Sequence, residues 1–123
     1  MIDNQKKRIL ICDDEEGIRE SLKLILENKY ELLFANDGNQ CLAHLKGKND
    51  INLVLLDIKM PQINGLDVLK QIKKIKPDVK VVMVSGYKSA ETTSAAIHNG
   101  ASDYIVKPFE KKEILRIIER IID

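Results

Sequence analysis

The stretch Ile51-Asn52-Leu53-Val54-Leu55-Leu56-Asp57-Ile58-Lys59-Met60-Pro61 holds an unbroken apolar run from Leu53 to Leu56. Polar Asn52 precedes the run and a carboxylate, Asp57, follows it directly. That texture suits a strand covered on both faces, as the central strands of a parallel sheet are. Pro61 cannot donate to a ladder, so the strand ends before it. Asp57 then falls at the carboxyl end of a buried strand, the edge where open α/β sheets place their ligands. A solvated turn aspartate fits this stretch alone equally well.

Working outward, Arg8–Cys12 reads as a first strand and runs into Asp13-Asp14-Glu15-Glu16. A helix follows with apolar Ile18, Leu22, Ile25 and Leu26 at helical spacing. Acids at its start favour the positive end of the helix dipole, which explains part of that cluster. Residues 30–35 make a second strand, mixed in polarity and so a candidate for a sheet edge. Asn36-Asp37-Gly38 turns the chain into a short helix carrying Leu42, Ala43 and Leu45, which stops near Gly47. After the central strand comes a loop at 58–64, with Asn64 as N-cap of a helix burying Leu66, Leu69 and Ile72. Residues 79–84 form a fourth strand ending in Ser85-Gly86. The segment 89–99 is a helix rich in Ala, Ser and Thr, closed by Gly100 and only weakly held by packing. Asp103–Val106 is a fifth strand ending in Lys107-Pro108, and the last helix carries Ile114, Leu115, Ile117, Ile118, Ile121 and Ile122.

Strands alternating with helices predict a doubly wound α/β fold with a parallel sheet in a single domain of 123 residues. Twenty basic and nineteen acidic side chains leave a formal charge of +1, which argues against nucleic acid as a direct partner. No apolar stretch approaches membrane-spanning length, and the polar lead-in at 1–7 lacks the apolar segment of a signal peptide. Cys12 and Cys41, without motif spacing, read as buried reduced thiols of a cytoplasmic protein.

Four of the five apolar strands finish in a residue with chemistry: Asp13-Asp14, Asp57, Ser85 and Lys107. In a parallel sheet those ends share one edge, so the groups converge. Crowded carboxylates at neutral pH need a cation or raised pKa values. Oxygen ligands suit a hard divalent ion such as Mg²⁺, and no His or Cys is spaced for zinc. A lysine and a hydroxyl beside such a site are what a phosphoryl group requires, with Asp57 as nucleophile.

With these residues in order, the whole chain resembles a response-regulator receiver domain of two-component signalling. The resemblance is carried by Ile11-Cys12-Asp13-Asp14-Glu15, Leu55-Leu56-Asp57-Ile58-Lys59-Met60-Pro61, Val84-Ser85-Gly86 and Tyr104-Ile105-Val106-Lys107-Pro108-Phe109. It implies a flavodoxin-like sheet in the order 2-1-3-4-5 with five helices, and one receiver domain over residues 1–123. It implies Asp57 as phosphoacceptor and Asp13, Asp14, Asp57 and the Lys59 backbone carbonyl as ligands of Mg²⁺, with Mn²⁺ as an alternative. Ser85 falls at the switch hydroxyl, Tyr104 at the switch aromatic and Lys107 at the phosphate-contacting lysine. Pro61, Gly86 and Pro108 shape the loops, and the Lys107–Pro108 bond is expected to be cis. The implied partners are a sensor histidine kinase and an output domain or effector on the surface of the fourth helix, fifth strand and fifth helix. A phosphorylation-dependent dimer and no membrane partner are expected too. The domain would catalyse only its own phosphorylation and dephosphorylation. Lys59, two residues past the acceptor, can pair with Glu15 or with the phosphate.

Rival readings fit less well. A flavin-binding relative needs a Ser/Thr/Gly-rich phosphate loop after the first strand, where this chain has acids, and the dinucleotide glycine fingerprint is missing. An aspartyl phosphohydrolase needs a second aspartate where Lys59 stands. Asp37, Asp50, Asp67, Asp78 and Asp103 have turn or helix-surface settings, and His44 and His98 read as surface residues. Tyr87 reads as surface filler, though it could shape access to the site. The basic runs at 6–8 and 73–76 read as solvated ends and faces.

Overall fold

Hydrogen bonding turns the apolar runs into one all-parallel sheet in the computed structural model, which describes residues 6–86 and 89–123. Tyr87 and residues 1–5 of the polar lead-in lie outside the described residues. In chain order the elements are β1 (Arg8–Cys12), α1 (Glu16–Leu26), β2 (Glu31–Ala35), α2 (Gly38–Lys46), β3 (Leu53–Leu56), α3 (Gly65–Ile75), β4 (Lys80–Ser85), α4 (Ala90–His98), β5 (Asp103–Val106) and α5 (Lys111–Ile122). The strands lie in the order β2-β1-β3-β4-β5, the doubly wound flavodoxin-like arrangement.

Alternation along each strand divides the interior in two. Leu10, Cys12, Val54, Leu56, Val81 and Met83 face the core built with Leu42, Leu45, Val68, Leu69, Ile72 and Ala96. Ile9, Ile11, Leu53, Leu55, Val82, Val84 and Ile105 face the other, with Leu22, Leu26, Ile114, Ile117 and Ile118. A covered Ile or Leu contributes roughly 1.5–3 kcal/mol. By that measure α5, with four buried isoleucines, is firmly seated, whereas α4 buries Ala96 alone.

Two strand boundaries differ from the sequence reading. Tyr30 does not open β2, because its N–H donates to the Leu26 carbonyl at 3.0 Å and closes the end of α1. Val79 likewise closes a turn onto the Lys76 carbonyl at 3.1 Å, so β4 starts at Lys80 and takes Ser85 into the ladder. Asp37, read as a turn residue, also caps α2 by accepting from the Gln40 N–H at 2.8 Å. His44 is half-buried rather than a plain surface residue, with Nε2 3.1 Å from the Phe34 carbonyl. Cys12 and Cys41 are free and buried. A hydrogen bond with Cys41 and burial push the Cys12 thiol far above its ordinary pKa, which leaves it unreactive.

Candidate functional site

Strand register sets the site before any side chain is considered. Cys12 pairs with Leu56, so Asp13 and Asp57, each the next residue, stand side by side. The ladder carries past both strand ends: the Asp57 N–H donates to the Cys12 carbonyl at 3.0 Å, and the Asp13 N–H to the Ala35 carbonyl at 3.1 Å. Leu56 pairs with Met83, which places Ser85 one residue beyond the level of Asp57. Ser85 pairs with Val106, and the Lys107 N–H donates to the Ser85 carbonyl at 2.9 Å. The ends of β1, β3, β4 and β5 thus deliver two carboxylates, a hydroxyl and an ammonium to one edge.

Lys107 binds the carboxylates together. Its Nζ is 2.8 Å from Asp13 Oδ2, 3.2 Å from Asp57 Oδ2 and 3.2 Å from Glu15 Oε1. The Asp13 and Asp57 side chains are only 3% and 4% exposed, so this pairing is little screened by water. Each aspartate is also oriented locally. Asp57 Oδ1 accepts from the Ile58 N–H at 2.8 Å, and Asp13 Oδ1 accepts from the Glu15 N–H at 2.9 Å. Burial raises the Asp13 pKa, and the nearby Asp57 charge adds to it, outweighing the lowering by Lys107 and the Glu15 amide. Burial opposes the Lys107 charge, but hydrogen bonding to Asp13 and the fields of Asp13 and Asp57 raise its pKa overall.

One oxygen from each of Asp13, Asp14, Glu15 and Asp57 falls within 4.8 Å of the others. An all-oxygen set of that size suits a hard divalent cation, and among the described residues no His or Cys joins it. The cleft here is about 440 Å³ and is lined by Asp14, Glu15, Asp57, Lys59, Ser85, Gly86 and Lys107. A water occupies about 30 Å³, so a phosphoryl group and a hydrated ion have room. Larger clefts occur at the opposite sheet edge and on α4, about 660 and 730 Å³. Neither gathers a buried carboxylate pair, so chemistry rather than size marks the site.

The remaining candidates sit around this cleft. Lys59 is exposed on the loop after β3, and Pro61 is exposed further along it. Gly86 follows β4, and Pro108 follows β5 through a cis Lys107–Pro108 bond. Tyr104 is half-buried on β5, paired in register with Met83 and packed at the margin of the α2–α3 core. Two contributors went unassigned by the sequence reading. Glu15, partly credited to the helix dipole, belongs to the carboxylate cluster, and Arg19 holds the Asp13 carbonyl at 2.8 Å. The Asp-Asp-Glu run hinted at Glu15; nothing in the sequence marked Arg19.

Comparison with known proteins agrees with this geometry. Residues 9–119 match the family model of the response regulator receiver domain. A crystal structure of a response regulator receiver domain protein (CheY-like) from Methanospirillum hungatei JF-1 superposes with a TM-score of 0.92. It is 38% identical and covers 97% of this chain and 95% of its own. The CAI-1 autoinducer sensor kinase/phosphatase CqsS of Vibrio cholerae is 36% identical over 89% of this chain. The nitrogen assimilation regulatory protein NtrX of Azorhizobium caulinodans is 40% identical over 94% of it. The chain spans only 16% and 26% of the length of those two relatives.

Proposed function

We propose, because this chain belongs to the response regulator receiver domain family and hence to phosphorelay signalling, that Asp57 is its phosphoacceptor and that the chain as a whole is one receiver unit. The carrying observation is Lys107 Nζ bridging Asp13 Oδ2 and Asp57 Oδ2 at 2.8 and 3.2 Å in a cleft shared with Ser85. A sensor histidine kinase is the donor. A carboxylate oxygen of Asp57 attacks phosphorus, forming a P–O bond as the P–N bond to the donor imidazole breaks. The imidazole nitrogen keeps the electron pair and takes a proton from water. Lys107 then follows the charge onto the phosphoryl oxygens, and the Ser85 hydroxyl donates to one of them. Asp13, Asp14, Asp57 and the Lys59 carbonyl are the groups that would hold Mg²⁺, or Mn²⁺ in its place. When bound, the ion offsets phosphoryl charge. The chain catalyses only its own phosphorylation and dephosphorylation.

The response follows from the same contacts. A phosphoryl group adds roughly −1.5 to −2 charges. Ser85 drawn toward it frees space for the half-buried Tyr104 ring. The lightly anchored α4 shifts with β5 and α5, and that face engages an output domain, an effector or a second copy. Such coupling is typically ~1–3 kcal/mol, a bias between populated states. No helix among the described residues is long and apolar enough to cross a membrane.

The test is labelling by a small phosphoryl donor, read by intact mass. Wild type takes one phosphoryl group per chain in the presence of Mg²⁺ and little after chelation, and Asp57→Asn takes none. Labelling of Asp57→Asn at the wild-type level, or an unlabelled wild type, overturns the assignment.

A further inference from the structure

Gly65, the first residue of α3, is buried, and its N–H donates to the Ile58 carbonyl at 2.7 Å. Its φ lies outside the left-handed region, so backbone conformation does not call for glycine here. Space does. A Cβ at position 65 would lie 2.0 Å from the Asp57 carbonyl oxygen, 2.7 Å from Ile58 Cα and 2.8 Å from the Asp57 carbonyl carbon. All three are backbone atoms, so no side chain can rotate out of the way.

The crowded peptide is the one that aims the acceptor. Its N–H, on Ile58, donates to Asp57 Oδ1 at 2.8 Å, while the other carboxylate oxygen meets Lys107 at 3.2 Å. On the β1 side the Asp57 N–H is held by the Cys12 carbonyl at 3.0 Å. A methyl at 65 must therefore push the Asp57–Ile58 peptide by more than ~1 Å to reach ordinary contact distance, while the β1 bond holds the residue's other end. We propose that the bare Cα of Gly65 is a positioning element for phosphoryl acceptance. It lets the start of α3 press on the Asp57–Ile58 peptide and lock the carboxylate facing Asp13 and Lys107. This inference rests on the phosphoacceptor reading above.

Gly38 supplies a matched control. It too is a buried first helical residue, on α2, and a Cβ there would lie 2.7 Å from Val68 Cγ2 and 3.3 Å from Ile63 Cβ. Those neighbours are side chains packed in or against the α2–α3 core, and neither belongs to the carboxylate cluster or lines its cleft. Gly65→Ala and Gly38→Ala are compared with wild type for small-donor labelling rate and for Mg²⁺ affinity by calorimetry, at a temperature where each is folded. Misplacement of a reacting group by about 1 Å costs on the order of 100-fold in rate. Labelling slowed ~100-fold and weakened Mg²⁺ binding in Gly65→Ala, with Gly38→Ala near wild type, support the role. Equal rates and affinities in the two variants overturn it while leaving Asp57 as acceptor. An unlabelled wild type overturns the acceptor reading and this inference with it. Should Gly65→Ala not fold, amide spectra of wild type decide. Phosphorylation shifts the Gly65 and Ile58 signals together if the contact transmits; an unmoved Gly65 signal beside a shifted Ile58 overturns the role.

Discussion

Lys107 illustrates how a single side chain can be both structural and chemical. It offsets two carboxylates that are nearly sealed from water, and the exposed Glu15 completes the set around it. Removing one partner from a buried ion pair leaves an uncompensated charge, typically at 3–5 kcal/mol. Lys107→Met is therefore expected to lose about 3 kcal/mol of stability in metal-free buffer. Added Mg²⁺ should raise its urea midpoint more than that of wild type, because the freed carboxylates bind cation more tightly than ones already occupied by an ammonium. Equal Mg²⁺ responses in the two proteins would show that Lys107 and the cation do not compete. The carboxylates, hydroxyl and lysine were legible as strand-end residues. The pairing of Lys107 with Glu15 was not, since no periodicity along the chain relates positions 15 and 107.

Among the elements, α3 and α4 start alike and are anchored differently. Asn64 caps α3 by accepting from the Asp67 N–H, and Ser89 caps α4 by accepting from the Thr92 N–H, both at 3.0 Å. Loss of such a cap costs about 1 kcal/mol. Val68, Leu69 and Ile72 tie α3 to the core, so Asn64→Ala should lower global stability by that amount, read as a lower urea midpoint at unchanged slope. With Ala96 alone buried, α4 opens locally, so Ser89→Ala should speed hydrogen exchange within α4 and leave the global midpoint nearly unchanged. Identical exchange behaviour in the two variants would remove the basis for treating α4 as the mobile element. The poor anchorage of α4 was visible in its Ala, Ser and Thr content. Gly100, at φ 103° where an L side chain is strained, ends it as expected.

Across the whole molecule the far end of α5 is tied to the loop between α1 and β2. The Tyr30 hydroxyl donates to Asp123 Oδ2 at 2.9 Å, and Lys29 meets Glu119 at 2.6 Å and Asp123 at 2.7 Å. Burial and the hydrogen bond to Asp123 push the Tyr30 phenol up to about 12 from 10.0. The folded state thus holds that proton more tightly than the unfolded chain. The resulting stability is fully present below pH 10.0 and is lost as pH rises toward about 12. Wild type should lose more stability than Tyr30→Phe across that interval in denaturation midpoints. Parallel pH profiles would show that the phenol is not perturbed by the fold.

Sequence alone determined the alternating elements, the central strand ahead of Asp57 and the gathering of Asp13, Asp57, Ser85 and Lys107 at one sheet edge. Those features follow from local rules: apolar runs form covered strands, and parallel strands all end on the same side. Only the tertiary structure decided that Glu15 joins the cluster and that Asp123 receives Tyr30. It also decided that Gly65 must lack a side chain because α3 begins against the Asp57 carbonyl. Each is a contact between segments whose spacing along the chain carries no periodic signal, and packing distance, not residue pattern, settles it.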